Sequence, residues 1–236
     1  MGNEQEKEMA AKFAVKFIKN GMFIGLGTGS TTKYFIRELA LAVKSGLKIK
    51  AVASSEESSR YGKSLGIDII DDIPQKIDLT VDGADEVDKY GNLIKGGGGA
   101  LLREKILAYN SREMYVIIDS SKKKETLGSF PLPIEIAKFA YEATLRNIES
   151  RGGKCQIRKG KDGMFITDNG NYIVDCNFGK IEDPEGLERS IKTIPGVVEV
   201  GIFHALASKV IMGGDNECTV FKCSADGEMQ EENNYQ

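Results

Sequence analysis

Two hydrophobic periods alternate along the first half of the chain. Apolar residues recur at helical spacing over residues 4–20, at Met9, Phe13, Ala14 and Phe17, and Asn20-Gly21 supplies the stop signal. A short apolar run, MFIGLG, follows as a strand, and a helix carrying Phe35, Ile36, Leu39 and Ala40 opens at Ser30. The alternation continues through strand KIKAVAS, helix SEESSRYGKSLG, strands IDIID and IDLTVDG, helix GALLREKILAYN and a buried-type strand at Tyr115–Ile118. Strands and helices in this order predict right-handed crossovers and a mostly parallel sheet.

From Pro131 the order changes. PLPIEIAKF is extended, KFAYEATLRNIESRG helical, and KCQIRKG and MFITDNGNYIVDCNF form further strands with a turn at Asp168-Asn169-Gly170. DPEGLERSIKTI is a helix with Pro184 near its first position, and GVVEVGIF is a strand. This βαββαβ order is the ferredoxin-like arrangement. SKVIMGG and ECTVFKC then read as strands that return to the first sheet. The predicted fold class is α/β: a Rossmann-like, mostly parallel sheet domain (1–130 plus 204–228) with an inserted ferredoxin-like α+β domain (131–203). Residues 229–236, within DGEMQEENNYQ, are expected to be a disordered tail.

Composition narrows the function. The 236 residues, 41% hydrophobic and 28% charged, describe an ordinary globular protein, and a net charge of -3 argues against nucleic-acid binding by phosphate neutralisation. No apolar run reaches the length of a membrane span, and the start MGNEQEKEMAAKF is too charged for a secretory signal. A cytoplasmic protein without a membrane partner is expected. The four cysteines show no CxxC spacing and His204 is the single histidine, so neither a zinc site nor a histidine-based nucleophile mechanism is expected. His204 is read as structural or interfacial. Carboxylates and lysines are left to do any proton work.

The densest candidate chemistry lies between Asp82 and Glu104. IDLTVDG places Asp82 at a strand's carboxyl end, where open α/β sheets bind ligands, so Asp82, Asp85, Glu86 and Asp88 form a candidate cluster. Lys95 and four glycines, Gly96 to Gly99, then lead into a helix; such a run suits positive φ or backbone N–H groups brought close to an anion. Glu104 falls opposite Leu102, Ile106 and Tyr109, and is therefore expected outside the core. A second cradle is GLGTGSTT, where Gly25, Gly27 and Gly29 precede Ser30, Thr31 and Thr32 at a helix start. Its spacing is neither a P-loop nor GxGxxG, which disfavours ATP and dinucleotides. The plainer alternatives are a flexible linker for the glycine run and a tight turn capped by Ser30. The glycine run is short, follows a lysine and abuts a helix, which favours a site. Lys122 is the best placed of Lys122–Lys124 to turn into the cleft.

Taken in order, GLGTGSTT, TVDGADEVD, LIKGGGGALLREK and DSSKKKETLG resemble the A-type ribose-5-phosphate isomerase family, and the likeness extends through LPIEI, TDNGNYIVDCNF and IPGVVEVGIF. The chain departs from the usual wording at Lys124 and in FHALASKV. The resemblance implies metal-independent interconversion of ribose 5-phosphate and ribulose 5-phosphate through an enediolate, with no cofactor. It also implies a homodimer or homotetramer. Carried over residue by residue, it implies substrate contacts from Thr28, Gly29, Ser30 and Thr31, from Asp82, Gly83, Ala84 and Asp85, from Lys95, Gly96, Gly97 and Gly98, and from Lys122. Glu104, Asp82 and Lys95 are its implied catalytic groups, with Glu104 as the proton acceptor. The chemistry agrees: one carboxylate over C1 and C2 can carry the proton, and a cation with N–H donors can stabilise the oxyanion. Asp82 would move protons between sugar oxygens and help open the furanose ring, while Asp85 would orient Lys95 or bind a hydroxyl. Two rivals stand: a non-catalytic sugar-phosphate sensor, and another enzyme with glycine-rich anion loops, such as a CoA-transferase-like or deaminating sugar-phosphate protein.

Overall fold

The structure, a computed structural model, describes residues 2–214, 216–224 and 227–232. In chain order the elements are α1 (Gly2–Val15), β1 (Phe23–Leu26), α2 (Ser30–Lys44), β2 (Lys50–Ala53), α3 (Glu56–Ser64), β3 (Ile77–Asp82), β4 (Glu86–Val87), β5 (Leu93–Ile94), α4 (Leu101–Tyr109) and β6 (Ser111–Asp119). A 3₁₀ turn at Ser120–Lys122 precedes β7 (Leu132–Ile136), α5 (Tyr141–Glu149), β8 (Lys154–Ile157), β9 (Lys159–Gly160), β10 (Gly163–Met164), β11 (Tyr172–Asn177) and α6 (Pro184–Lys192). The chain ends through β12 (Val197–Val200), β13 (Ile202–Phe203), β14 (Lys209–Gly213), β15 (Cys218–Ser224) and β16 (Gly227–Glu231).

Seven strands form the main sheet in the order β16-β15-β14-β6-β3-β1-β2. β14, β6, β3, β1 and β2 run parallel, while β15 and β16 are added antiparallel at one edge. The path moves from β1 to β2 on one side and then to β3 on the other, so the strand order reverses between β1 and β3. At such a switch point the connections leave in opposite directions and open a crevice at the carboxyl ends. Helices α1 and α2 pack Ala10, Ala14, Phe35, Ile36 and Leu39 against one face of the sheet. Helix α4 covers the other face with Leu107 and Ala108. Each of these large apolar side chains, once buried, stabilises the fold by roughly 1.5–3 kcal/mol.

The second sheet, β12-β7-β11-β8, is antiparallel throughout and has α5 and α6 packed on it around Ile134, Ile136, Ile148, Val174 and Ile191. Its βαββαβ order is the ferredoxin-like one. Cys155 and Cys176 face each other across β8 and β11 and form a disulfide. Their spacing in the sequence does not reveal this, because the pair becomes opposite only through the β8–β11 register. The two sheets meet at a small third one, β13-β5-β4.

Four expectations change. GVVEVGIF is two strands in two sheets, parted at Gly201, because the chain there passes backbone to backbone: Lys95 N–H donates to Gly201 O, and Gly201 N–H donates to Pro133 O, each at 2.8 Å. IDIID contributes only a single bridge, Ile69 to Ala51. KCQIRKG, expected as one strand, is two, β8 and β9, and β9 pairs as a hairpin with β10 ahead of β11. Met229–Glu231 is not a disordered tail, since Gly227–Glu231 pairs with β15 as an edge strand whose Glu228 and Glu231 keep that edge charged. Residues 233–236 lie outside the described residues.

Gly201 offers a direct check on how the sheets are joined. A Cβ there would lie 2.4 Å from Lys95 O and 2.7 Å from Pro133 O, both backbone atoms that cannot yield cheaply. Gly201→Ala should lower stability by about 1–3 kcal/mol in urea unfolding. An unchanged midpoint would show that the crossing is loose.

Candidate active site

Helix α2, like α4 and α5, starts without a side-chain cap, whereas α3 and α6 have one. Ser55 caps α3 by accepting from Ser58 N–H, and Asp183 caps α6 by accepting from Gly186 N–H. At α2 the N-cap is Gly29, at φ 126°, and no side chain caps the helix. Ser30 is therefore inside the helix rather than its cap, and the first-turn N–H groups have no intrahelical acceptor. Left open at the positive end of the helix, they are donors suited to an anion. Thr28 behaves differently from Ser30: its hydroxyl turns into a buried serine group, 2.7 Å from Ser54 Oγ and 2.8 Å from Ser55 Oγ.

Asp82, at the end of β3, is wholly buried. Its Oδ1 accepts from Gly83 N–H at 2.7 Å, Thr28 N–H at 3.0 Å and Thr32 Oγ1 at 3.3 Å. A side chain at position 27 would occupy the same space, since its Cβ would lie 1.9 Å from Asp82 Oδ1. Asp82 Oδ2 faces the Lys95 ammonium at 2.9 Å, and Glu104 Oε2 lies on the same ammonium at 3.4 Å. Lys95 Nζ also donates to Gly83 O and sits 5.5 Å from the centre of the Phe203 ring.

Glu104 corrects the expected helix face. The buried side of α4 carries Leu101, Glu104, Leu107 and Ala108, whereas Ile106 is 43% and Tyr109 78% exposed. A carboxylate can occupy that inner side because a lysine meets it there. Burial is the main cause that lifts the Glu104 pKa from 4.5 to about 8; Lys95 opposes the rise, and Asp82 and Asp85 add to it. Burial also works against the Lys95 charge, but Asp82 and Glu104 outweigh it and hold the ammonium above its ordinary pKa.

The glycine loop turns twice through positive φ, at Gly96 (103°) and Gly99 (85°), and Gly97 N–H donates to Asp85 Oδ2 at 2.7 Å. Asp85 thus holds the loop. One cavity is lined by residues 28–32, 83–85, 95–98, Glu104 and Lys122, so every residue carried over from the resemblance lines it except Asp82, which lies beneath it on Lys95. No carboxylate of the described residues pairs with Lys122. A larger cleft, about 670 Å³, lies beside α3 and α4 among Arg60, Ile70, Ile73 and Ile106, but it contains no buried titratable group.

Two acids leave the cluster expected from the sequence. Glu86 accepts from the N–H groups of Gly128 and Phe130, both at 2.7 Å, and Asp88 holds the tight turn through Tyr90 and Asn92. Glu86 is consumed by backbone N–H groups, and Asp88 by two backbone N–H groups and the Asn92 side-chain amide. His204 Nδ1 lies 2.8 Å from Asn92 Oδ1, away from the cavity. Arg158 was not anticipated: its Nη1 donates to the carbonyls of Gly96 and Gly97 at 2.8 and 3.1 Å. No sequence signal marks it, because it approaches from the other sheet.

Fold and site together define a class: an α/β enzyme that holds a buried acid–lysine–acid cluster beside an uncapped helix terminus. Residues 50–217 match the family model described as ribose 5-phosphate isomerase A (phosphoriboisomerase A), and the chain belongs to that family. It is 50% identical over 232 residues to ribose-5-phosphate isomerase A of Thermoplasma volcanium, covering 97% of this chain and 96% of the relative. With the Picrophilus torridus protein of the same name it shares 54% over 217 residues, 92% of this chain and 97% of the relative. Among solved structures, ribose 5-phosphate isomerase A from Methanocaldococcus jannaschii superposes with a TM-score of 0.88 at 42% identity, covering 92% of this chain and 97% of that one. A D-ribose-5-phosphate isomerase in complex with phospho-erythronic acid gives 0.91 at 42%, covering 94% and 100%.

The raised Glu104 pKa has a consequence for folding. Between pH 4.5 and about 8 the native state keeps a proton that the unfolded chain has released, so the group's stabilising contribution is full below 4.5 and is lost as pH rises through about 8. Glu104→Gln removes this dependence. In urea unfolding from pH 5 to 9, the variant should gain steadily on the wild type; parallel pH profiles would show that Glu104 titrates normally.

Proposed function

We propose that the protein interconverts D-ribose 5-phosphate and D-ribulose 5-phosphate through an enediolate, without a metal. The observation that carries this reading is a buried glutamate, with its pKa lifted to about 8, that shares one cavity with a fully buried ammonium and an open helix terminus. A base poised near neutral pH combines a populated carboxylate with enough basicity to take a carbon-bound proton.

In this reading the phosphate lies at the N–H groups of Ser30 and Thr31 and at Lys122, and the reacting carbons lie over Glu104. Glu104 takes the C2 proton; the C2–H electron pair becomes the C1=C2 bond, and the carbonyl electrons settle on O1. Lys95 and the Gly98 N–H stabilise that charge in a site shielded from water. The ammonium thus fills the electrophile's place that a metal takes in other isomerases. Glu104 returns the proton to C1, while the Asp82–Lys95 pair passes the hydroxyl proton from O2 to O1. The phospho-erythronic acid bound by the related isomerase supports this pose, because a phosphorylated sugar acid carries a planar anionic carboxylate at the reacting end.

Purified protein treated with EDTA should convert ribose 5-phosphate to its ketose, and Glu104→Gln should lower kcat by about 10²- to 10⁴-fold while substrate binding changes little. The wild type should also exchange the C2 hydrogen with solvent deuterium, and the variant should slow exchange and isomerisation together. Tight binding without turnover in the wild type would favour the sensor reading. Undiminished turnover in the variant would remove Glu104 as the base.

A further inference from the structure

Arg158 lies just beyond β8 of the ferredoxin-like sheet, yet its side chain ends on the outer side of the glycine loop. Its guanidinium is fixed by a two-point pair with Asp175 on β11: Nε donates to Oδ2 at 2.9 Å, and Nη2 pairs with Oδ1. This leaves Nη1 aimed at Gly96 O (2.8 Å) and Gly97 O (3.1 Å). The guanidinium also lies 5.8 Å from the centre of the Phe165 ring. Phe165 in turn closes on Gly99, where a Cβ would meet ring carbon Cζ at 2.3 Å. The loop is therefore held from outside by a cation and an aromatic ring.

Peptide geometry converts this outer grip into an inner effect. No peptide bond of the described residues is cis, and in a trans peptide the C=O and N–H point to opposite sides. The carbonyl of Gly96 shares its peptide with the N–H of Gly97, and that of Gly97 shares its peptide with the N–H of Gly98. Drawing both carbonyls out to Arg158 turns both N–H groups inward. The Gly97 N–H is seen there, already donating to Asp85 Oδ2, and the Gly99 N–H turns back to Gly96 O, so Gly98, which lines the cavity, carries the loop donor left for a ligand. A full positive charge on the two carbonyl oxygens also polarises both peptides, which strengthens their N–H groups as donors.

We propose that Arg158, locked by Asp175, is a positioning residue that holds the glycine loop so that the Gly98 N–H is preset for the anion formed at the reacting end of the substrate, while Asp85 keeps the neighbouring Gly97 N–H. The inference rests on the isomerase reading above. It assigns Arg158 to the reacting end and not to the phosphate end, because its contacts are with the loop and none reaches Ser30, Thr31 or Lys122. The inserted domain thereby acts on the chemistry without touching the substrate.

The test compares wild type with Arg158→Ala, Arg158→Lys and Asp175→Asn. A misplaced loop should cost Arg158→Ala about 10- to 100-fold in kcat. KM for ribose 5-phosphate should move less than about threefold, since the phosphate contacts are intact. By calorimetry, affinity for 4-phosphoerythronate should fall with kcat while affinity for inorganic phosphate holds. Millimolar guanidinium ion should restore part of kcat in Arg158→Ala, and Arg158→Lys should be intermediate because it keeps charge without the fork. Asp175→Asn, which releases the guanidinium without removing it, should show a smaller loss with the same split, and it decides the matter if Arg158→Ala does not fold. Unchanged kcat, or equal losses of phosphoerythronate and phosphate affinity, would overturn the proposal. A wild type that fails to isomerise ribose 5-phosphate would sink the isomerase reading alone, leaving the two affinities to judge Arg158.

Discussion

One ammonium, fully buried between two carboxylates, is the constraint on which the structure depends. Desolvating Lys95 costs several kcal/mol, and only close opposite charge can offset it. Asp82 at 2.9 Å and Glu104 at 3.4 Å provide that charge. Two carboxylates on one cation leave a surplus negative charge in a place with little water, and the surplus falls on the more weakly satisfied group. Asp82 Oδ1 has three donors and its Oδ2 the closer approach to Lys95, whereas Glu104 has only the longer contact and the desolvation. Burial is thus the main cause of the raised affinity of Glu104 for a proton, and the single longer contact to Lys95 does not offset it.

Such a cluster is a poor way to stabilise a fold, since apolar residues of similar volume often do better in a core. Its retention inside α4's buried face, between Leu101 and Leu107, makes sense as chemistry sustained by the surrounding scaffold. The scaffold is extensive. Asp82 is set by β3 and the turn after β1, Lys95 by its backbone bond to Gly201, and Glu104 by α4. Those anchors come from both large sheets, so neither domain alone assembles the three groups.

Much of this was legible in the sequence, for identifiable reasons. The periods of two and near four marked the strands and helices that pack on one core face, and GLGTGSTT and KGGGG marked backbone that must approach something closely. What failed depended on long-range geometry. Leu102, Ile106 and Tyr109 read as the apolar face of α4, but the neighbouring Lys95 made the opposite, glutamate-bearing side the one to bury. Glu86 and Asp88 read as site acids because composition cannot show that their oxygens are taken by the N–H groups of Gly128, Phe130 and Asn92. The Cys155–Cys176 link and the reach of Arg158 to the loop both depend on the pairing of β8 with β11, which no local pattern encodes.

The arrangement also separates two kinds of binding. In the proposed reaction, the uncapped start of α2 and Lys122 would at one end meet a charge that is the same in substrate, intermediate and product, so contacts there would hold the ligand without favouring any stage. At the other, Lys95 and the Gly98 N–H would meet charge that exists only while the carbonyl electrons are displaced. The first set stands on the start of α2 beside the switch point of the parallel sheet and on the 3₁₀ turn after β6, and the second on a loop gripped from behind by Arg158 and Phe165. A glycine loop left to itself would spread over many conformations, and its donors would be worth little at the moment they are needed. Docking a second, independently packed sheet against that loop is what makes a flexible sequence act as a rigid group of donors. On this argument the inserted domain belongs to the active site as much as the sheet that carries Asp82.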